Sequence, residues 1–155
     1  YNEKSTGRPY DPNSKWTSKY IDSPNAPLYA FGYGLSYTTF SYGDPVVDKK
    51  AFSNGEKITL RVRLTNTGKY EGEETVQLYI RDLVASSTRP VKELKGFQKI
   101  RLKPGESRDV SFEIGKNDLK FYRRDMTYGT EPGDFDLMVG GSSDQVKTIR
   151  VQLKP

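Results

Sequence analysis

The sequence contains neither cysteine nor histidine. Without cysteine there is no disulfide framework, no thiolate nucleophile and no zinc ribbon. Without histidine there is no Ser-His-Asp triad and no imidazole metal site. Acid or base chemistry would fall to Asp, Glu, Lys or Tyr. Cofactors are expected to be none, and no metal ligands are assigned. No apolar run approaches the length of a membrane span, and no signal-peptide pattern is present. Helical periodicity is missing, as is the Cys…Trp…Cys spacing of antibody domains. Apolar residues are scarce at 34%, enough for one core and little more.

What is present fits one domain with an arm: 155 residues, of which 29% are charged, with a net charge of +5. Lys and Arg alternate with Asp and Glu along almost every strand candidate. The densest basic clusters, Arg123-Arg124-Asp125 and Lys92-Glu93-Leu94-Lys95, each hold an acid. This is a solvated surface, and no nucleic-acid partner is expected. The chain begins at Tyr1 without an initiator Met, so the expectation is a piece of a longer protein.

Residues 1–34 differ from the rest. They are rich in Pro, Gly, Asn and Ser yet carry Tyr1, Tyr10, Trp16, Tyr20, Tyr29, Phe31 and Tyr33. Flexible linkers are poor in aromatics, so this reads as an extended arm lying against a surface. From residue 35 to 155 the pattern is period two. Ile58, Leu60, Val62 and Leu64 alternate with polar residues; so do Val76, Leu78 and Ile80, then Val110, Phe112 and Ile114. Phe135, Leu137 and Val139 repeat it, as do Ile149, Val151 and Leu153. Gln77, Tyr79 and Arg81 then fall on a wet face. Ser36 to Tyr42 suits a further strand, and Leu94, Phe97, Ile100 and Leu102 an irregular one with a bulge at Gly96. Lys103-Pro104-Gly105-Glu106 and Glu131-Pro132-Gly133-Asp134 both read as type II turns. Asn66-Thr67-Gly68 is a further turn, and Asn117-Asp118-Leu119 can cap a single helical turn. About seven strands without long helices predict an all-β fold: an immunoglobulin-like, fibronectin type III-like antiparallel β-sandwich.

The candidate chemistry is thin. Asp134 and Asp136 share a strand face and invite a glycosidase pair, but no pocket-forming loops accompany them. They read as a wet face, and no catalytic residue is assigned. Glu71, Glu73 and Glu74 beside Gly72 match no calcium loop. Phe31-Gly32-Tyr33-Gly34 lacks the strand-to-helix setting of a phosphate loop. The aromatic arm suits either a sugar platform or an anchor on a protein surface, and a sugar platform needs rings held together on a rigid element.

Five strings now matter together: YNEKSTGRPY at 1–10, LYAFGYGLSYTTF at 28–40, NTGKYEGEETVQLYIRD at 66–82, RPVKELKGFQKIRLKPGES at 89–107 and EPGDFDLMVGGSS at 131–143. In this order they resemble the C-terminal end of family 3 glycoside hydrolases, of the bacterial periplasmic β-glucosidase type, over essentially the whole chain. The resemblance implies a barrel catalytic domain, an α/β sandwich domain and then this module. The nucleophilic aspartate and the acid/base glutamate belong to the first two, so no catalytic residue carries over. It implies a parent that is a retaining β-glucosidase or β-xylosidase in the periplasm or outside the cell. Ala30 stands where the family more often has Pro, which is expected to loosen that turn.

Two functions stay open at this point. One is an accessory domain docking on and stabilising the catalytic barrel and α/β domains of the same chain. The other is a module binding an oligosaccharide or a cell-surface component. The docking surface is expected at Tyr29, Phe31, Tyr33 and Tyr37, joined by Arg89, Lys92 and Lys95 near Glu93 and the loop at 83–88. Aromatic rings anchor interfaces, and Arg pairs bidentately with carboxylates. Phe31, Leu35 and Phe97 have a competing place in the core. Residues 1–27 are expected to be mobile, or held by crystal neighbours or a second copy.

Overall fold

β-Branched and aromatic residues at every second position make strands wherever one face can be buried. In a computed structural model, which describes residues 11, 13–16 and 26–155, they form eleven. In chain order these are β1 (Phe40–Tyr42), β2 (Val46–Val47), β3 (Ala51–Ser53), β4 (Ile58–Asn66), β5 (Gly72–Asp82), β6 (Glu93–Leu102), β7 (Ser107–Ile114), β8 (Phe121–Tyr122), β9 (Tyr128–Gly129), β10 (Gly133–Gly140) and β11 (Val146–Lys154). A single-turn helix, α1 (Lys116–Leu119), interrupts them, and the Asp118 carboxylate accepts the Gly115 N–H at 2.9 Å at its start. The expected mobility of residues 1–27 falls mostly outside the described residues.

Two sheets face each other. In the four-stranded sheet β7 pairs one side of β4, while β1 and β2 share the other. The five-stranded sheet runs β3-β11-β10-β5-β6. A small β8-β9 ribbon stands apart. The eleven residues Ile58, Leu60, Val62, Leu64, Val76, Leu78, Ile80, Phe112, Leu137, Val139 and Val151 are all buried between the sheets. Period two was sufficient to find them.

Several local expectations need correction. β3 pairs β11 in parallel, so the sandwich is not wholly antiparallel. The strand expected from Ser36 starts only at Phe40, and Leu35 is exposed. Phe31, Leu35 and Phe97 do not enter the core. Gly96 does mark an irregularity: Leu78 pairs Gly96 while Tyr79 pairs Leu94, leaving Lys95 extra. Leu94 is thereby turned to the outer face opposite Tyr79, while Phe97 faces outward by alternation with the inward Ile100 and Leu102. At 103–106 the type II turn holds, with Gly105 at φ 75° and the Glu106 N–H donating to Lys103 O at 3.0 Å. At 131–134 it does not. Gly133 has no positive φ and begins β10.

Candidate docking surface

Val76, Leu78 and Ile80 of β5 point inward, so Thr75, Gln77, Tyr79 and Arg81 point out. The strand register sets Leu94, Tyr79, Met138 and Thr148 in one row across this outer face. Phe97, Gln77, Gly140 and Val146 form the next row. An open sheet face would be wet. Instead Tyr79 is 2% exposed, and Gln77 and Met138 are 5% each. The wet-face expectation for Gln77 and Tyr79 is therefore overturned: polar side chains on this strand are covered because another segment lies over them.

The cover is the segment around 30–33 together with the β10–β11 loop. The Tyr33 N–H donates to Ala30 O at 3.0 Å, and Gly32 has φ 79°, which makes Ala30–Tyr33 a type II turn. Phe31 and Gly32 are its central residues. Ala30 only supplies the accepting carbonyl, so proline there would fix neither central φ, and the expected loosening has no basis. The Phe31 ring meets Tyr79 edge-on at 6.4 Å. Gln77 Nε2 donates to Gly32 O at 3.1 Å and to Gly141 O at 2.5 Å. The Tyr79 hydroxyl donates to Gln77 Oε1. A Cβ on Gly32 would lie 2.0 Å from Gln77 Oε1, so both the turn and the close approach require glycine.

On top of this clamp the aromatic residues face outward. Tyr29 and Tyr33 stack with ring centroids 5.2 Å apart. Tyr29 is 66% exposed, Phe31 49%, Tyr33 45% and Tyr37 97%. Phe97, directly across from Gln77, is also exposed. The second expected segment reaches the same place through Ser143. The Ser143 N–H donates to Phe31 O at 2.8 Å, and Lys92 Nζ donates to Ser143 O. The other two cations are committed internally. Arg89 bonds Glu93 at 2.7 Å, and its guanidinium carbon lies 4.4 Å from the Phe121 ring centre. Lys95 bonds Glu93 at 2.5 Å. Period-two reasoning missed Gln77, Tyr79 and Ser143. The one available signal was an amide and a phenol alternating on a strand that otherwise fits a central position.

A cleft of about 320 Å³ opens beside the turn, at one end of the sandwich; Tyr33, Phe40, Tyr42, Glu73, Glu74 and Gln145 are among its lining residues. The Tyr42 hydroxyl donates to Glu74 Oε1 at 2.7 Å. Burial lifts the Glu74 carboxyl above its ordinary value against the lowering effect of that bond. Burial, then the Glu74 bond, pushes the Tyr42 phenol far up. Glu73 points the other way and pairs with Lys99 at 2.7 Å, while Glu71 lies 3.6 Å from Arg101. No grouping of three metal-ligating side chains occurs among the described residues. Asp136 is held by Arg150 at 2.9 Å, and Asp134 is exposed.

Two sheets of this topology, closed without a disulfide, define a fibronectin type III-like sandwich. Residues 74–143 match the family model described as fibronectin type III-like domain. The chain is 50% identical over 149 residues to a periplasmic β-glucosidase of Salmonella typhimurium, covering 95% of this chain and 20% of that protein. It is 46% identical over 138 residues to a β-xylosidase of Formosa agariphila, covering 88% of this chain and 19% of that one. The β-glucosidase of Listeria innocua solved with glucose superposes with a TM-score of 0.88 at 38% identity, over 97% of this chain and 21% of that chain. The chain is thus similar to the C-terminal, fibronectin type III-like region of family 3 β-glucosidases and β-xylosidases. It spans about a fifth of the length of these relatives. No helix among the described residues is long and apolar enough to cross a membrane.

Proposed function

We propose that this chain is the accessory module of a periplasmic or secreted β-glucosidase that acts on terminal β-D-glucosyl residues. Residues 1–34 serve as its connector and 35–155 as its sandwich. The module docks on the catalytic domains of the same protein and stabilises them. One observation carries this reading: Tyr29, Phe31, Tyr33 and Tyr37 stand exposed on a segment pinned to the sheet by Gln77 and Ser143. Rings fixed in this way are suited to fill pockets on a neighbour. A glycan platform would need free ring faces side by side, whereas Tyr29 and Tyr33 spend one face each on the other. Lys92 joins the surface through Ser143, and Arg89 and Lys95 brace its edge through Glu93.

In the longer protein, Tyr29→Ala and Tyr33→Ala should lower thermal stability or expression and leave the chemistry of the catalytic site largely intact. Arg89→Ala should do so too, and should also weaken the isolated module, because Arg89 is packed on Phe121. Full stability combined with lost binding of a soluble oligosaccharide would favour the binding-module reading instead.

A further inference from the structure

Glu74 lies near the start of β5, on the side of the strand that faces the other sheet. It is not a solvated surface acid. Its Oε1 accepts the Tyr42 hydroxyl and sits where a Cβ on Gly141 would come within 2.6 Å. Among the described residues no Lys or Arg nitrogen lies within the 4.0 Å of an ion pair with it. The adjacent Glu73, by contrast, has both Lys99 and Arg101. A partly buried carboxylate is costly unless a cation or further donors compensate it. Tyr42 alone supplies one donor. The other titratable groups of the cleft, Tyr33 and Glu73, supply no positive charge.

The cleft wall includes residues 32–36. Leu28 is only four residues before Gly32 of this wall, so the chain joins the sandwich beside the cleft. The relatives place about four-fifths of their length outside the region matched here. We infer that the cleft is a socket for one cationic side chain, an arginine or a lysine, projected by the preceding part of the longer protein. Glu74 is its acceptor, and the Tyr33 ring flanks it, as aromatic rings do for guanidinium groups. This rests on the docking reading and gives it a charge-paired centre.

The test is Glu74→Gln, which keeps an acceptor for Tyr42, read in two contexts. In the 155-residue chain no Lys or Arg of the described residues pairs with the carboxylate. Burial raises its folded-state pKa, so ionisation opposes folding there. The variant should be as stable as the wild type at pH 7, or more so. Any gap should close as pH falls through the raised pKa and below the ordinary glutamate value. In the longer protein the sign reverses. Removing one partner of a desolvated pair weakens docking, and proteolytic cleavage at the connector should become roughly tenfold faster or more. Unchanged cleavage in Glu74→Gln, with Tyr33→Ala accelerating it, would overturn the socket and leave docking standing. If Tyr33→Ala also had no effect, docking would fail and the socket with it. Perturbation of the Glu74 and Tyr33 resonances of the 155-residue chain by cellobiose alone would make the cleft a sugar subsite and overturn the inference.

Discussion

Asn66 ends β4 with 0% exposure, and every bonding position of its amide is used. Oδ1 accepts the Thr38 hydroxyl at 2.7 Å and the Gly68 N–H at 3.0 Å, while Nδ2 donates to Tyr70 O and Leu102 O. One side chain thus ties the approach to β1, the β4–β5 turn and the end of β6. Gly68 allows it, because a Cβ there would fall 2.1 Å from Thr38 Oγ1. Asn66→Ala would leave several buried groups unpaired and should destabilise by at least about 2 kcal/mol. The midpoint of urea unfolding checks this. Leu78→Ala acts by the other mechanism, an apolar cavity, and should cost roughly 2–5 kcal/mol in the same measurement.

At the level of elements, the two Pro-Gly pairs separate what local chemistry can decide from what it cannot. Gly105 adopts φ 75° in open space. Gly105→Ala should therefore destabilise by about 1 kcal/mol through backbone strain alone. Gly133 is also in open space but lies in extended β10. Gly133→Ala should be within about 0.5 kcal/mol of wild type, as for surface changes away from special features. Equal effects in paired denaturation curves would contradict the assignment of the two turns. The reason for the difference is pairing. The β10 register extends to Gly133 opposite Leu153, and a ladder of this length overrides the turn that Pro132 would otherwise begin.

For the molecule as a whole, charge is spread as cross-strand pairs on the wet faces, such as Lys57–Glu113 and Arg63–Asp109. Exposed pairs of this kind contribute little to stability but keep either surface from reading as a basic patch. Asp136 is bound to Arg150 and Asp134 is exposed on the same strand, so the two are not arranged as an acid and a nucleophile across a pocket. The isolated chain should therefore not hydrolyse aryl β-glucosides or β-xylosides above background. Turnover that survived purification and vanished on substitution of Asp134 or Asp136 would refute this.

The sequence by itself determined the class of fold, the inward face of each long strand and the absence of thiol or imidazole chemistry. Alternation in Ile58–Leu64 and Val76–Ile80 is a local property that needs no knowledge of neighbours, and five ordered strings carry the resemblance to family 3 glycoside hydrolases. It did not determine which outer face is dry. Gln77 and Tyr79 are polar-compatible residues in wet register, and only a segment arriving from more than forty positions away decides that they are buried. Nor did it determine that Leu94 points outward. A single extra residue at Lys95 shifts the register of β6 against β5, and with period two a shift of one reverses which face a side chain occupies. Aromatic composition marked residues 1–34 as a surface-seeking segment. Among the described residues, the tertiary structure chose that the Phe31 segment is held, by Gln77, Tyr79 and Ser143, and that Tyr29 and Tyr33 face out.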